Sequence, residues 1–201
     1  LRKVDGEVRL SEDEVAWLLT DGVDYFTPEL REGYHRIEAD FHADAFRKNR
    51  DPWSAVNASS HYRKCRESKT AESILSSIDT AGLKSRKLKS ALCTTHGGAK
   101  RDLRKYEEAL DLGAQAHQMT PLDFRPCTLL GAVNMEIGQL QLGQSWFDKA
   151  VERGFSEKQV DRELRSIFMR LEKPKQEALR NHLLSIDSHR YSWAKRKSGK
   201  Q

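Results

Sequence analysis

Cysteine is scarce. Cys65, Cys93 and Cys127 are the only three in 201 residues, and no two stand in a CxxC spacing. An odd, scattered set suggests neither a disulfide framework nor a zinc site. It fits a reducing cytoplasm, which is the expected location. No apolar run approaches the ~20 residues of a membrane span, so no membrane partner is expected. The start, LRKVDGEVRLSEDE, has no apolar core of the kind a signal peptide needs. It also lacks an initiator Met, which fits a piece of a longer protein. Catalytic signatures are missing too: there is no GxSxG elbow, no glycine-rich phosphate loop and no HExxH. The expectation is a protein with no catalytic residue, no cofactor and no metal.

The nearest thing to a metal motif is YHRIEADFH. It sets His35, Glu38 and His42 at i, i+3 and i+7 on one helix face. Imidazole and carboxylate suit zinc or iron. No partner motif appears elsewhere, so these are read as structural or surface residues. Cys65 lies between Lys64 and Arg66, which would favour a thiolate. Nothing nearby in the sequence acts as its base.

Charge is what the chain has in quantity. Charged residues make up 32% and apolar residues 37%, the balance of helices that bury one face and wet the other. The net charge of +5 hides an asymmetry. Residues 1–45 hold five bases and twelve acids; residues 61–105 hold twelve bases and four acids. The last fourteen residues add five bases and no acid. An acidic head, a basic middle and a basic tail need a reason. The simplest is that the head lies against the middle.

Helix starts are well marked. SEDE at Ser11 and SEKQ at Ser156 are capping boxes. Thr27-Pro28 and Asp51-Pro52 each place a cap before proline at the first helical position. Leu30, Tyr34, Ile37, Phe41 and Ala45 make one stripe on the long helix after Thr27. After Ser156, Val160, Leu164, Ile167, Phe168 and Leu171 make another. Lys173-Pro174 ends that one, and a last helix carries Leu179, Leu183 and Leu184.

Between these ends the sequence repeats. CTTHGGAKRDLRKYEEALDLGAQAHQMTP, from Cys93, aligns with CTLLGAVNMEIGQLQLGQSWFDKAVERGF, from Cys127, at an offset of 34. Gly97 falls on Gly131, Tyr106 on Leu140, Ala109 on Gly143 and Ala116 on Ala150. A weaker copy, PWSAVNASSHYRKCRESKTAESILSSID, precedes them with a spacing of 38. The pattern resembles the tetratricopeptide repeat, over about residues 52–154. Small residues let two antiparallel helices approach closely, and stacked neighbours bury what one pair cannot. Phe155 stands where the family has proline.

The resemblance implies an all-α fold, a helix-turn-helix α-solenoid of the tetratricopeptide type. Its parts would be an acidic helical segment over 1–50, repeats over 51–155, capping helices over 156–190 and a frayed basic tail over 191–201. It also implies a concave groove lined by the first helix of each unit. Carried over residue by residue, Trp53, Arg63, Lys64, Arg101 and Arg125 would face a partner there. Lys100, Arg104 and Lys105 would lie nearer the turn and the rim and Lys87 ahead of the second repeat's first helix, and these four could meet nucleic acid. The family's carboxylate clamp does not carry over, since its positions hold Val56, Ser60, Thr95, Arg125 and Leu129. The expected function is a non-enzymatic scaffold that binds a protein or peptide, acidic in character, in a basic groove. The alternative is a nucleic-acid-binding accessory module, part of a larger nucleic-acid-processing protein. Trp53, Tyr62 and Tyr106 would stack bases, and the tail, with Tyr191 and Trp193, would assist.

Overall fold

A computed structural model describes residues 2–195; the last part of the basic tail, 196–201, lies outside the described residues. Among the described residues there are helices and turns and no strand. The order is α1 (Arg2–Asp5), α2 (Glu12–Leu19), a 3-10 turn (Val23–Tyr25), α3 (Pro28–Asn49), α4 (Pro52–Lys64), α5 (Ser68–Ser76), α6 (Arg86–Asp102), α7 (Tyr106–Met119), α8 (Phe124–Ile137), α9 (Leu140–Glu152), α10 (Glu157–Arg170), α11 (Lys173–Ile186) and a closing 3-10 turn (Ser192–Ala194). The starts follow the predicted chemistry. Ser11 and Ser156 form full capping boxes, and Thr27 and Asp51 cap helices that open on proline. Pro174 is the second residue of α11, where its missing N–H has no helical partner to lose, but Glu172 ahead of that helix makes no side-chain cap bond.

The chain divides into two compact units, Leu1–Met119 and Thr120–Gln201. The boundary falls inside the segment predicted as repeats. In the first unit α3 packs on α4, α4 on α5 and α6, and α6 on α7. The contact surfaces are small. Ala39, Ala43, Ala58, Ala71 and Ala99 meet around Tyr62 and Cys65. Val56, Leu75, Leu88 and Leu92 form a second cluster, and Leu18, Phe26 and Leu30 a third.

The stripe predicted on α3 coincides with its buried face only at Leu30. Leu30, Ala39, Ala43 and Phe46 are buried, while Phe41 is 44% exposed. Alanines permit a closer approach to α4 than the large side chains would. Phe41 instead carries the Arg9 guanidinium 3.6 Å above its ring.

In the second unit α8 pairs with α9, α10 packs on α8, and α11 on α10. One apolar cluster joins them, with Met135, Phe147, Leu164, Ile167, Leu179 and Leu183 fully buried. Tyr191 and Ala194 belong to this core, and Trp193 packs against it. That part of the predicted tail is therefore folded, and Tyr191 is closed to any base. Glycine sets the α8–α9 distance. A Cβ on Gly143 would stand 3.0 Å from the Met135 backbone nitrogen, and one on Gly131 would stand 3.1 Å from the Phe147 ring.

Candidate functional site

Ion pairs within the first unit take up most of the predicted basic surface. Arg63 on α4 lies across Gly98 on α6; a Cβ there would come within 2.1 Å of its guanidinium. Its Nε donates to Asp102 at 2.7 Å and its Nη2 at 3.3 Å. The Ser68 hydroxyl donates to the same carboxylate. Lys100 bonds Glu72 at 2.6 Å and Glu108 at 2.5 Å, and Lys105 bonds Glu72 at 2.7 Å. The two ammonium donors hold the Glu72 carboxyl below the usual range, and the carboxylates raise Lys100. The Lys100 side chain is only 13% exposed, too enclosed to meet a phosphate backbone. Arg101 is buried, at 8% exposure, and does not stand free. These residues were expected in an open groove or on its rim. Instead they hold α4, α5, α6 and α7 together.

Arg125, in the second unit, is also committed locally. Its guanidinium pairs with Asp123, the cap of its own helix, and lies over the Phe124 ring. Further along α8 the helix is closed to a partner at two positions. Met135 is part of the core, and Glu136 is buried and pairs with Arg170 at 2.9 Å.

Trp53, Lys64, Lys87 and Arg104 stay exposed. Trp53, Asn57, Ser60 and Lys64 recur at four, three and four along α4, so they share one helix face. Asn57 is exposed and Ser60 half-buried. Trp53 and Lys64 are about 16 Å apart along the axis at 1.5 Å per residue. The crowded setting of the Lys64 ammonium, and then the Arg63 charge, lower its pKa.

The histidines of α3 meet a partner that the sequence did not point to. His61, on α4, places its Nδ1 3.1 Å from the Nδ1 of His35. His42 lies beside His61, ring centroids 5.8 Å apart. One Nδ1 donates and the other accepts, so at most one ring of the bonded pair is protonated at that atom without losing the bond. Burial, and then the Lys64 charge, push both His35 and His61 down to about 4. Glu38 is buried beneath them, and Arg9 donates to both its oxygens at 2.8 Å. Burial raises the Glu38 carboxyl, but the Arg9 bonds and charge outweigh it and the net shift is downward. Among the described residues no group of three His, Cys, Asp or Glu is placed to hold a metal. His61 stands 26 positions from His35, so only the α3–α4 pairing reveals it.

Cys65 is 1% exposed, and its thiol donates to the Tyr62 carbonyl. Burial pushes the thiol up despite Arg36 nearby, against the thiolate that its basic neighbours suggested. Nor does the acidic head neutralise the basic segment wholesale. Between them stand a Glu32–Arg66 pair at 3.6 Å, a Tyr62 bond to Asp40, and one pair of reversed polarity, Arg36–Glu67. No protein-family model and no curated protein matches this chain.

Proposed function

We propose that the chain is a non-enzymatic interaction scaffold whose helix pairs α4–α5, α6–α7 and α8–α9 are tetratricopeptide-like units. One observation carries this reading. Residues 34 apart do the same job in two helix pairs: Tyr106 and Leu140 each open the second helix, and Gly97, Ala109 and Ala116 are buried as Gly131, Gly143 and Ala150 are. Pairs built this way bury their apolar faces against neighbouring helices and leave the outer face of a first helix to a partner. In the first unit that face is the α4 stripe from Trp53 to Lys64. An extended partner segment with an apolar side chain on Trp53 and a carboxylate at Lys64 fits it. Arg63 can join by exchanging Asp102 for the partner's acid.

The test is affinity capture with the full chain, compared with a Trp53→Ala, Lys64→Glu double variant. Both substitutions lie on exposed positions, so circular dichroism should be unchanged. A protein held by the wild type and lost by the variant supports the reading. Capture that survives in the variant, or vanishes on nuclease treatment, rejects it. Nuclease-sensitive capture would favour the nucleic-acid alternative, for which Lys87 and Arg104 are the exposed cations.

A further inference from the structure

Three clefts lie along α2 and α3 of the first unit, and neighbouring clefts share a wall. One of about 240 Å³ runs between Glu7, Arg9, Phe41 and Asp44. A second, about 330 Å³, shares Arg9 and continues past Glu12, Val15 and Leu19. A third, about 240 Å³, shares Leu10 and ends against Val4, Trp17 and Leu30. The surface is unusually apolar for one so exposed. Val8, Trp17, Leu19, Val23 and Tyr25 are all about half exposed or more, at 47–65%. Of these, Trp17 and Leu19 line the clefts and Tyr25 stacks on Trp17, and apolar side chains exposed beside clefts mark contact surfaces.

The shelf at one end is built rather than loose. The Trp17 ring lies on the backbone of Gly22, where a Cβ would stand 2.5 Å from it. Its other neighbour is Tyr25, stacked at 5.8 Å and 22°. The ring is therefore already ordered for an incoming side chain.

Acids outnumber bases among the residues lining the clefts. Their two arginines are spent: Arg9 on Glu38, Arg36 on Glu67. Glu14 pairs with Lys3, and Asp44 with Arg47. Glu7, Glu12, Asp13, Asp21 and Asp24 are exposed and have no ion pair among the described residues. An acid left free beside an apolar cleft favours a cation on the occupant.

We propose that this track is a second docking surface, and that its occupant is an extended partner segment with one or two large apolar anchors flanked by Lys or Arg. An anchor would sit on the Trp17–Tyr25 shelf or beside Leu19, with cations towards Glu12 and Glu7. Its polarity is opposite to that proposed for the α4 face, so the two surfaces take different partners.

The probes are short fluorescent peptides: Lys/Arg-rich with Leu and Trp anchors, the same with Glu for every cation, and the same with Ser for every anchor. Anisotropy is read with the full chain at physiological salt. The basic anchored peptides should bind, and both control sets should not. Leu19→Ser, a change at a side chain 62% exposed, should weaken binding roughly tenfold. Glu7→Lys with Glu12→Lys should weaken it and flatten its salt dependence, while Trp53→Ala, Lys64→Glu should leave it unchanged. Equal binding of the acidic peptides, indifference to Leu19→Ser, or no binding by any peptide overturns the proposal. So does self-association that Leu19→Ser dissolves in sedimentation, since a second copy would then be the occupant.

Discussion

The two units end their helices with the same backbone and different residues. In the second unit Gly138 after α8 and Gly154 after α9 take positive φ, 92° and 95°. In the first, Arg50 after α3, Arg66 after α4 and Arg104 after α6 take φ of 56°, 65° and 60°. Arg66 and Arg104 are 38 apart, the spacing of the first two repeat copies, so both hold the same turn. Glycine accepts this conformation freely, whereas an L side chain costs about 1–2 kcal/mol there. The cores differ in the same sense. The second unit is joined by large buried side chains in one cluster; the first divides its core among an alanine-rich cluster and two small leucine-containing ones, and adds ion pairs and a histidine pair. One unit is built for packing. The other retains charged groups in places where packing alone would favour glycine or an apolar side chain.

The largest effect should come from the apolar unit. Phe147 is fully buried and rests against Gly131. Phe147→Ala should cost about 3–5 kcal/mol in chemical denaturation. Amide exchange should show the loss in α8–α11. A cost near 1 kcal/mol would mean that the cavity collapses and the core is looser than its burial suggests.

Acid should act on the other unit. His35 and His61 sit at about 4 when folded, against 6.5 as free side chains. A pKa depressed by folding means the unfolded chain binds the proton more tightly. Their contribution is therefore whole above about pH 6.5 and is lost as pH falls towards 4. Between pH 7 and 5 most carboxylates stay ionised, so urea unfolding over that window isolates the imidazoles. Protection of α3 and α4 should fall with pH, and His35→Asn with His61→Asn should reduce the slope. The second unit has its own lowered imidazole, His182, shifted by burial, and it should add a smaller slope there. Equal slopes in both units would break the contrast.

How much of this was legible follows from what each feature depends on. Caps are local, so Ser11, Thr27, Asp51 and Ser156 could be read directly. The small positions of the repeat were legible because Gly97, Ala109 and Ala116 recur 34 residues later. The fate of the cations was not. Lys100 reads as basic surface beside Arg101, and only its meeting with Glu72 and Glu108 makes it a strut. The α3 stripe misled because the helix buries its alanines, which periodicity in large side chains does not weigh. The α2–α3 clefts had no motif at all; they arise from how a short helix and a turn lie on a long one.

The glycine-to-alanine change separates the units next. At Gly143 the new methyl meets the Met135 side chain and backbone and the Gly131 carbonyl, at 2.9–3.1 Å. Backbone cannot swing aside, so Gly143→Ala should cost about 1–3 kcal/mol. At Gly98 the atoms nearest the methyl all belong to the end of Arg63. That side chain can move, and alanine favours the helix over glycine by about 1 kcal/mol. Gly98→Ala should therefore be near neutral, at the expense of the Arg63–Asp102 bridge. Thermal denaturation of the two variants side by side reads the difference. A costly Gly98→Ala would show that Arg63 is held in place more firmly than a partly exposed ion pair normally allows.

The smallest effect is also the most direct probe of why the first unit keeps its arginines. Arg104→Gly should stabilise the protein by about 0.5–1 kcal/mol, the left-handed strain relieved less the entropy glycine adds to the unfolded chain. Gly138→Arg, the reverse exchange, should cost about 1–2 kcal/mol. If both signs hold, Arg104 stands where stability alone would place glycine, as Gly138 does in the second unit. Its side chain is exposed and has no ion pair among the described residues, so the left-handed backbone serves the turn, where the Lys105 N–H donates to the Lys100 carbonyl, and not an ion pair. Binding of oligonucleotides and of captured partners by Arg104→Gly then shows whether it serves a contact outside. A variant that is more stable and binds less would identify this turn as part of the interaction surface. One that is more stable and binds equally well would leave Arg104 as a cation at the end of a helix dipole.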